Sequence, residues 1–295
     1  YSNKLMRYKY SILIPTFNNL KYLKFCIKSL IKNSFFENEI ICHVNNGNDG
    51  TLDYLKKDNI KYTYTSYNSG ICEGINKAAK LAKFQYYLYA HDDFYFCPEW
   101  DLILLEELKK ISHNKFYLSG TMMKEGQIKF NCGDTPDQFD EKKFLSEYKN
   151  YNHYDFQGST WAPSLVHRDM WIKVGGLSEE FFPGSGSDPD FNMKLWNSGV
   201  RIFKGINNFK VYYFGSVVLR KKLNEIKKNN NYGSKGEKIF LMKLEINIKF
   251  FKKFYLISNE RYDNKLEEPK KNLKFYFHLA LCKLNYFYLS LFYKK

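Results

Sequence analysis

The residues best suited to chemistry in this 295-residue chain are acids that follow apolar or glycine-rich segments. His91-Asp92-Asp93 comes directly after Tyr86-Tyr87-Leu88-Tyr89-Ala90. Two carboxylates at the mouth of an apolar strand repel each other. A divalent cation such as Mg²⁺ or Mn²⁺ relieves that repulsion and can bridge the pair to substrate phosphates. The same pair suits an ordinary turn or helix cap ahead of Pro98, and the pair alone leaves the two readings level. A second cluster, Gly184-Ser185-Gly186-Ser187-Asp188-Pro189-Asp190-Phe191, places two acids at a helix start behind a glycine loop. Acids there cap a helix and favour its dipole. A carboxylate at a site edge can equally take a proton from a hydroxyl. The loop composition does not separate these two roles.

The elements that must position these acids alternate along the first half of the chain. Tyr10–Ile14 is a short apolar run stopped by Pro15 and is expected to be a buried strand. Leu20, Leu23, Ile27, Leu30 and Ile31 recur at helical spacing. Strands are expected at Glu39–Val44, Ile60–Thr65 and Phe84–Ala90. Helices are expected at Thr51–Lys57, Ile71–Leu81 and Asp101–Ile111. This order predicts an α/β fold, a mostly parallel Rossmann-like sheet covered on both faces. Ligands bind outside the carboxyl ends of such strands. The segments that follow the four strands are Pro15-Thr16-Phe17-Asn18-Asn19, Asn45 to Thr51, Asn68-Ser69-Gly70 and His91-Asp92-Asp93. Each alone is a turn, but four that converge on a pair of carboxylates make a site. Further on, residues 120–160 read as loops and short elements. Arg168–Val174 and Asp188–Ser198 read as helices, and Val200–Phe203 and Lys210–Phe214 as closing strands.

Composition bounds the function. An apolar fraction of 44% and a charged fraction of 26% describe a globular chain with a core. The net charge is +15, but residues 216–295 hold 19 Lys and Arg against 7 Asp and Glu, so a nearly neutral body carries a basic tail. That asymmetry predicts domains at 1–216 and 217–295. A basic tail rich in aromatics suits an anionic membrane face. No nucleic-acid-binding motif is present, so no nucleic acid partner is expected. The six cysteines form no C-x-x-C and no zinc spacing, which suits a reduced, cytoplasmic protein. No signal peptide opens the sequence, although its first residue is Tyr rather than Met. No apolar run approaches the roughly 20 residues that span a bilayer.

SILIPTFNN, the NNGNDGT turn, N-x-G before a helix, HDD after a strand and GG-x(11)-DPDF-x(4)-LW-x-x-G occur here in order. Together, over roughly residues 9–216, they resemble the family 2 glycosyltransferases. The resemblance implies a GT-A fold and an inverting transferase. The donor would be a UDP-, GDP- or dTDP-sugar and the acceptor a glycan or lipid-linked hydroxyl, in surface polysaccharide synthesis. It implies that Pro15, Thr16, Asn18 and the Asn46 turn hold the nucleobase and ribose, and that Asn68 and Gly70 line the nucleotide pocket. Asp92 would meet the ribose or the metal's water, and Asp93 would ligate Mn²⁺ or Mg²⁺. Asp188 matches the family's general base, with Asp190 two residues behind. Gln157 and Trp161 lie on the acceptor side, Trp161 being as well suited to a core as to a sugar face. Three positions depart from the pattern. Asn46 stands where many members have Asp, Tyr212-Tyr213 where many have a late metal-binding His, and His91 where an acid or apolar residue is common. His91 is expected to donate toward the acid pair and not to bind metal.

A nucleotidyltransferase would need a glycine-rich basic loop after the first strand, where Pro15-Thr16-Phe17-Asn18-Asn19 stands. A catalytically inactive, sugar-nucleotide- or glycan-binding scaffold is the alternative that the missing His keeps open. The tail resembles, more loosely, the extension of some bacterial members. Over 272–293, Leu273, Phe277, Leu281, Leu284, Tyr288 and Leu291 share one helical face with lysines around it. That face is expected either to dock on a membrane, as a peripheral protein on its cytoplasmic side, or to pack on the body.

Overall fold

A computed structural model describes residues 9–215 and 232–292. Nine strands form one mixed sheet. They are β1 (Tyr10–Phe17), β2 (Glu39–Asn45), β3 (Lys61–Thr65), β4 (Tyr86–Tyr89), β5 (Phe94–Phe96), β6 (Phe116–Lys124), β7 (Phe156–Gln157), β8 (Ser164–His167) and β9 (Ile202–Tyr213). The order is β3-β2-β1-β4-β8-β6-β9-β5, with β7 on β9. β1, β2, β3 and β4 pair in parallel, and the antiparallel β8 then links β4 to β6. β9 pairs in parallel with β6.

The helices between the parallel strands are α1 (Leu20–Lys32), α2 (Thr51–Lys57) and α3 (Gly70–Ala79). In α1 the buried Leu23, Cys26, Ile27 and Leu30 form the stripe the sequence spacing predicts. α4 (Trp100–Lys109), α5 (Glu141–Glu147), α6 (Arg168–Val174) and α7 (Ser187–Asn197) follow. Beyond the undescribed 216–231 come α8 (Tyr232–Leu244), α9 (Ile248–Phe250) with a π-helical turn at Phe251–Tyr255, and α10 (Leu273–Phe292). The helix-like reading of 217–231 lies outside the described residues. The Asn/Gly break expected at 229–236 is helical from Tyr232 onward.

Other expectations are corrected. β1 continues through Pro15, which pairs in register with His43 of β2. Pairing with β4 ends at Leu13, so a residue with no N–H sits where one side of β1 is already free of partner. The two closing strands are one, β9, whose register against β6 slips between Ser119 and Thr121 and accommodates Ile206–Phe209. The region read as loops from residue 120 opens with the second half of β6, and it also contains β7.

One hydrophobic core joins sheet and extension. Leu13, Leu88, Leu165, Phe203 and Val211 share it with Phe240, Phe251, Leu256, Phe275 and Cys282. The packing face of α10 is the stripe of Phe275 and Cys282, with Leu279 beside it. It is not the face singled out from sequence: Leu273, Phe277, Leu281, Leu284, Tyr288 and Leu291 are all exposed.

Candidate active site

The four post-strand segments meet at the carboxyl edge of the sheet, as the parallel register requires. β1 delivers Thr16, whose hydroxyl donates to Asp92 Oδ2 at 2.6 Å. Pro15 is buried in the strand just before it. Asn18 has positive φ and its Oδ1 accepts the Asn48 N–H at 3.0 Å, which ties the β1 turn to the β2 turn. Asp49 strengthens that tie by accepting the Leu20 N–H at 2.8 Å. Asn46 is half-buried at φ 68°, and its N–H donates to the Thr65 carbonyl. Asn68 Oδ1 accepts the N–H of Gly70 at 3.1 Å. Gly70 has φ +82°, and a Cβ there would lie 2.8 Å from the Phe182 ring, so only glycine lets the 182–184 loop approach α3.

Asn45, which opens the second of these segments, and His43, which the sequence did not single out, brace this edge. Asn45 Oδ1 accepts both the N–H of Ser69 (2.7 Å) and its hydroxyl (2.9 Å). The buried His43 ring lies within hydrogen-bond distance of Thr63, Thr65 and Ser69. Burial, then the nearby Lys77 charge, lowers the His43 pKa to about 4, so it is neutral at pH 7. Mid-strand histidines carry no spacing signal, which is why this one was not legible.

Asp92 and Asp93 are adjacent and both buried. Burial first, and the Asp93 charge second, push the Asp92 carboxyl well above the usual carboxylate range, against the Thr16 and Asn19 hydrogen bonds. Hard oxygen donors under mutual repulsion fit a divalent cation. Among the described residues no three His, Cys, Asp or Glu side chains converge. Phosphate and water oxygens would therefore complete any such site. β9 brings Tyr213 beside the acid pair through its pairing with Phe94, but the Tyr212 hydroxyl is occupied, accepting from the Cys132 N–H at 2.9 Å and donating to the Gly133 carbonyl at 2.6 Å. His91 does not reach the acids by hydrogen bond in the way the sequence suggested. Its Nε2 meets the Tyr89 hydroxyl at 2.9 Å and its ring stacks on Phe94, and burial lowers its pKa to about 4.

The two acids of α7 have different fates. The helix begins at Ser187 behind Gly186 with no side-chain cap, so neither acid is a cap. Asp190 is fully buried. Its Oδ2 accepts from the Ser178 hydroxyl at 2.6 Å, and its other oxygen pairs with Lys243 of α8 at 2.9 Å. Asp188 is half-buried near Tyr89 and Ser164 at the carboxyl end of β4, on a void of about 10 Å³ that runs back between the sheet and α6–α7 among Leu13, Tyr87 and Trp171. Burial raises its pKa to about 7, and Lys252 of the extension pulls the other way.

On the other side of the sheet edge, β7 sits between β9 and the extension. The Gln157 N–H donates to the Glu260 carbonyl, and the buried Gln157 amide nitrogen has no partner among the described residues. Gly158 has φ +67°, and a Cβ there would lie 2.2 Å from the Leu256 carbonyl oxygen. Trp161 is half-buried, with its indole N–H donated to the Gly120 carbonyl at 2.8 Å. The extension therefore touches both the Asp188 side and the Gln157–Trp161 side of this edge.

The sequence profile of glycosyl transferase family 2 matches residues 11–160, which run from β1 past the acid pair to the Trp161 segment. The chain belongs to glycosyl transferase family 2. Solved structures agree on the fold of this glycosyltransferase. The crystal structure of S. aureus TarS is 19% identical over 80% of this chain, with a TM-score of 0.53. The alignment takes in 43% of the TarS chain, so this sequence spans less than half of that protein's length. The TarS 1–349 fragment in complex with UDP is 19% identical, covering 78% of this chain and 69% of that one, at a TM-score of 0.53. The same fragment with UDP-GlcNAc is 17% identical, covering 78% and 70%, at 0.51. At these identities the likeness carries the GT-A fold alone. The described part of the glycosyltransferase has no helix long and apolar enough to cross a membrane.

Proposed function

We propose that this family 2 enzyme moves a sugar from a nucleoside-diphosphate donor to a hydroxyl, with inversion, and that Asp188 is the general base. The observation that carries this reading is the contrast within α7. Asp190 is tied down by Ser178 and Lys243, whereas Asp188 is half-buried beside Tyr89 and Ser164 at the carboxyl edge of the sheet and has no hydrogen bond or ion pair among the described residues. A base with a pKa near the working pH combines ionisation with a useful driving force for proton transfer. Asp188 would take the acceptor's proton as its oxygen attacks the anomeric carbon and the nucleoside diphosphate leaves from the opposite face.

The β1 and β2 turns, with Thr16, Asn18 and Asn46, would hold base and ribose, and Asn68 with Gly70 would close the pocket. Asp93, with Asp92 beside it, would hold Mn²⁺ or Mg²⁺ together with donor phosphates. A bound cation there would neutralise charge developing on the diphosphate. Gln157, whose buried amide N–H₂ has no partner among the described residues, suits a polar acceptor, and Trp161 would flank it. We assign donor binding and transfer to residues 1–216 and treat 217–295 as a buttress of that unit. All six cysteines are free thiols, consistent with a cytoplasmic enzyme that builds surface glycan.

UDP is the first donor to test, because structures of the same fold hold UDP and UDP-GlcNAc. Melting curves with UDP-, GDP- and dTDP-sugars, each with and without Mn²⁺, test the reading. A ligand at 100 times its Kd stabilises by about 2.7 kcal/mol. One nucleotide should shift the transition, more so with metal, and the same sugar should release nucleoside diphosphate on turnover. Binding with no turnover for any acceptor would leave a sugar-nucleotide-binding scaffold.

A further inference from the structure

α10 packs on the body through one stripe, Phe275, Leu279 and Cys282, and turns the opposite side outward. On that outer side Leu273 is 90% exposed, and Phe277, Leu284, Tyr288 and Leu291 are 62–65% exposed. Soluble monomers rarely leave an apolar face of this length, about 30 Å of helix, in water. The charge around it selects the occupant. After Glu268 the sequence has no acidic residue, while Lys270, Lys271 and Lys274 flank the start of the helix, Lys283 pairs with Glu245 just after α8, and Lys294 and Lys295 follow in sequence. A second copy would bring the same cations against each other; an anionic surface would not. Next to the face, a groove of about 350 Å³ opens between α8, α9 and α10, with Glu237, Lys238, Lys249 and Tyr288 in its walls.

We propose that α10 docks this enzyme on an anionic phospholipid surface, with its outer face in the acyl boundary and its lysines among the headgroup phosphates. The apolar row and the basic margins are the two components an interfacial helix needs. α8 packs against α10 and also carries Lys243, which is fixed to α7 two residues from Asp188. Docking therefore orients Asp188 and the sheet edge with respect to the bilayer. On the transferase reading, the acceptor would be a lipid-linked hydroxyl.

The test uses the whole chain and vesicles of phosphatidylcholine alone or mixed equally with phosphatidylglycerol, with no donor present. The protein should sediment with the anionic vesicles and release at about 0.5 M salt, where charge is screened within a few ångströms. Phe277→Glu with Leu284→Glu should weaken binding at least about tenfold. Lys270→Gln, Lys271→Gln and Lys274→Gln together should weaken it about a hundredfold, at about fivefold per charge. The sites are exposed, and unchanged melting temperatures would confirm intact folding. If the glutamate pair does lower melting, the salt response of the unaltered protein and the lysine variant decide. Equal binding to neutral vesicles, or full binding by folded glutamate or glutamine variants, would overturn the proposal. So would a dimer split by the glutamate pair without any vesicle binding, which would assign the face to a second copy. Because no donor is involved, a negative result leaves the transferase reading as it stands.

Discussion

Asp188→Asn removes the proposed base with almost no change in shape. Asn keeps the volume of the carboxyl and one acceptor oxygen, but its NH₂ is a donor and the amide cannot accept a proton at neutral pH. General bases contribute about 10²–10⁴-fold, so transfer should fall by that factor. Donor affinity, set at the strand turns and at Asp92 and Asp93, should stay within about twofold. The pKa of about 7 gives a second reading. The base is the ionised form, so activity is lost as pH falls through that value. Ionisation rises from about 9% at pH 6 to about 91% at pH 8, and kcat/KM for the unaltered enzyme should rise about tenfold between them. In the Asn variant that limb should vanish from the residual rate. Lys252 holds the Asp188 pKa down, so Lys252→Met should move the limb to higher pH. The assay is nucleoside diphosphate release across pH 5.5–9 (roughly the working range of a carboxylate base), with donor affinity measured separately by calorimetry. Near-full activity in the Asn variant, or an unchanged limb, would sink the assignment. A limb that instead follows donor affinity would point to Asp92.

Asp93→Asn should abolish the metal dependence of donor binding while leaving nucleoside binding itself, as read by melting with and without Mn²⁺. Lys243→Met leaves the buried Asp190 carboxylate without its cation, which should cost about 3–5 kcal/mol. Adding Asp190→Asn should restore much of that in urea unfolding, and strict additivity of the two changes would refute the tie. Gly158→Ala puts a side chain on a positive-φ residue against the Leu256 carbonyl. It should destabilise by about 1–3 kcal/mol and raise amide exchange at 256–262 first; uniform protection there would show that the contact is not as drawn.

The first half of the fold was legible because β1 to β4 and α1 to α3 alternate at their natural periods and end in glycine and asparagine turns. Thr16, Asn18, Asn68 and Asp92 could be placed at one sheet edge from that order alone. β6 was missed because both its faces are covered. FYLSGTMMK is buried almost throughout, and a strand covered on both sides has no period of two to detect. The division of labour between Asp188 and Asp190 was illegible for another reason. It depends on Ser178 and Lys243, distant in sequence and brought together only by packing. For α10 the helix and the apolar face were readable, but not the side that meets the body. A helix with apolar residues around most of its circumference offers two candidate faces, and periodicity does not choose between them.

The tie between Lys243 and Asp190 has a consequence for the order of synthesis. Lys243 lies 65 residues after Ser178, its other neighbour at that junction. While the chain is being made, β1 to β9 leave the ribosome before α8 does. During that interval Asp190 has only Ser178, and Leu256 has yet to cover Gly158. Packing of residues 232–292 on the body therefore supplies two things at once, the Lys243 partner of Asp190 and the Leu256 cover over Gly158.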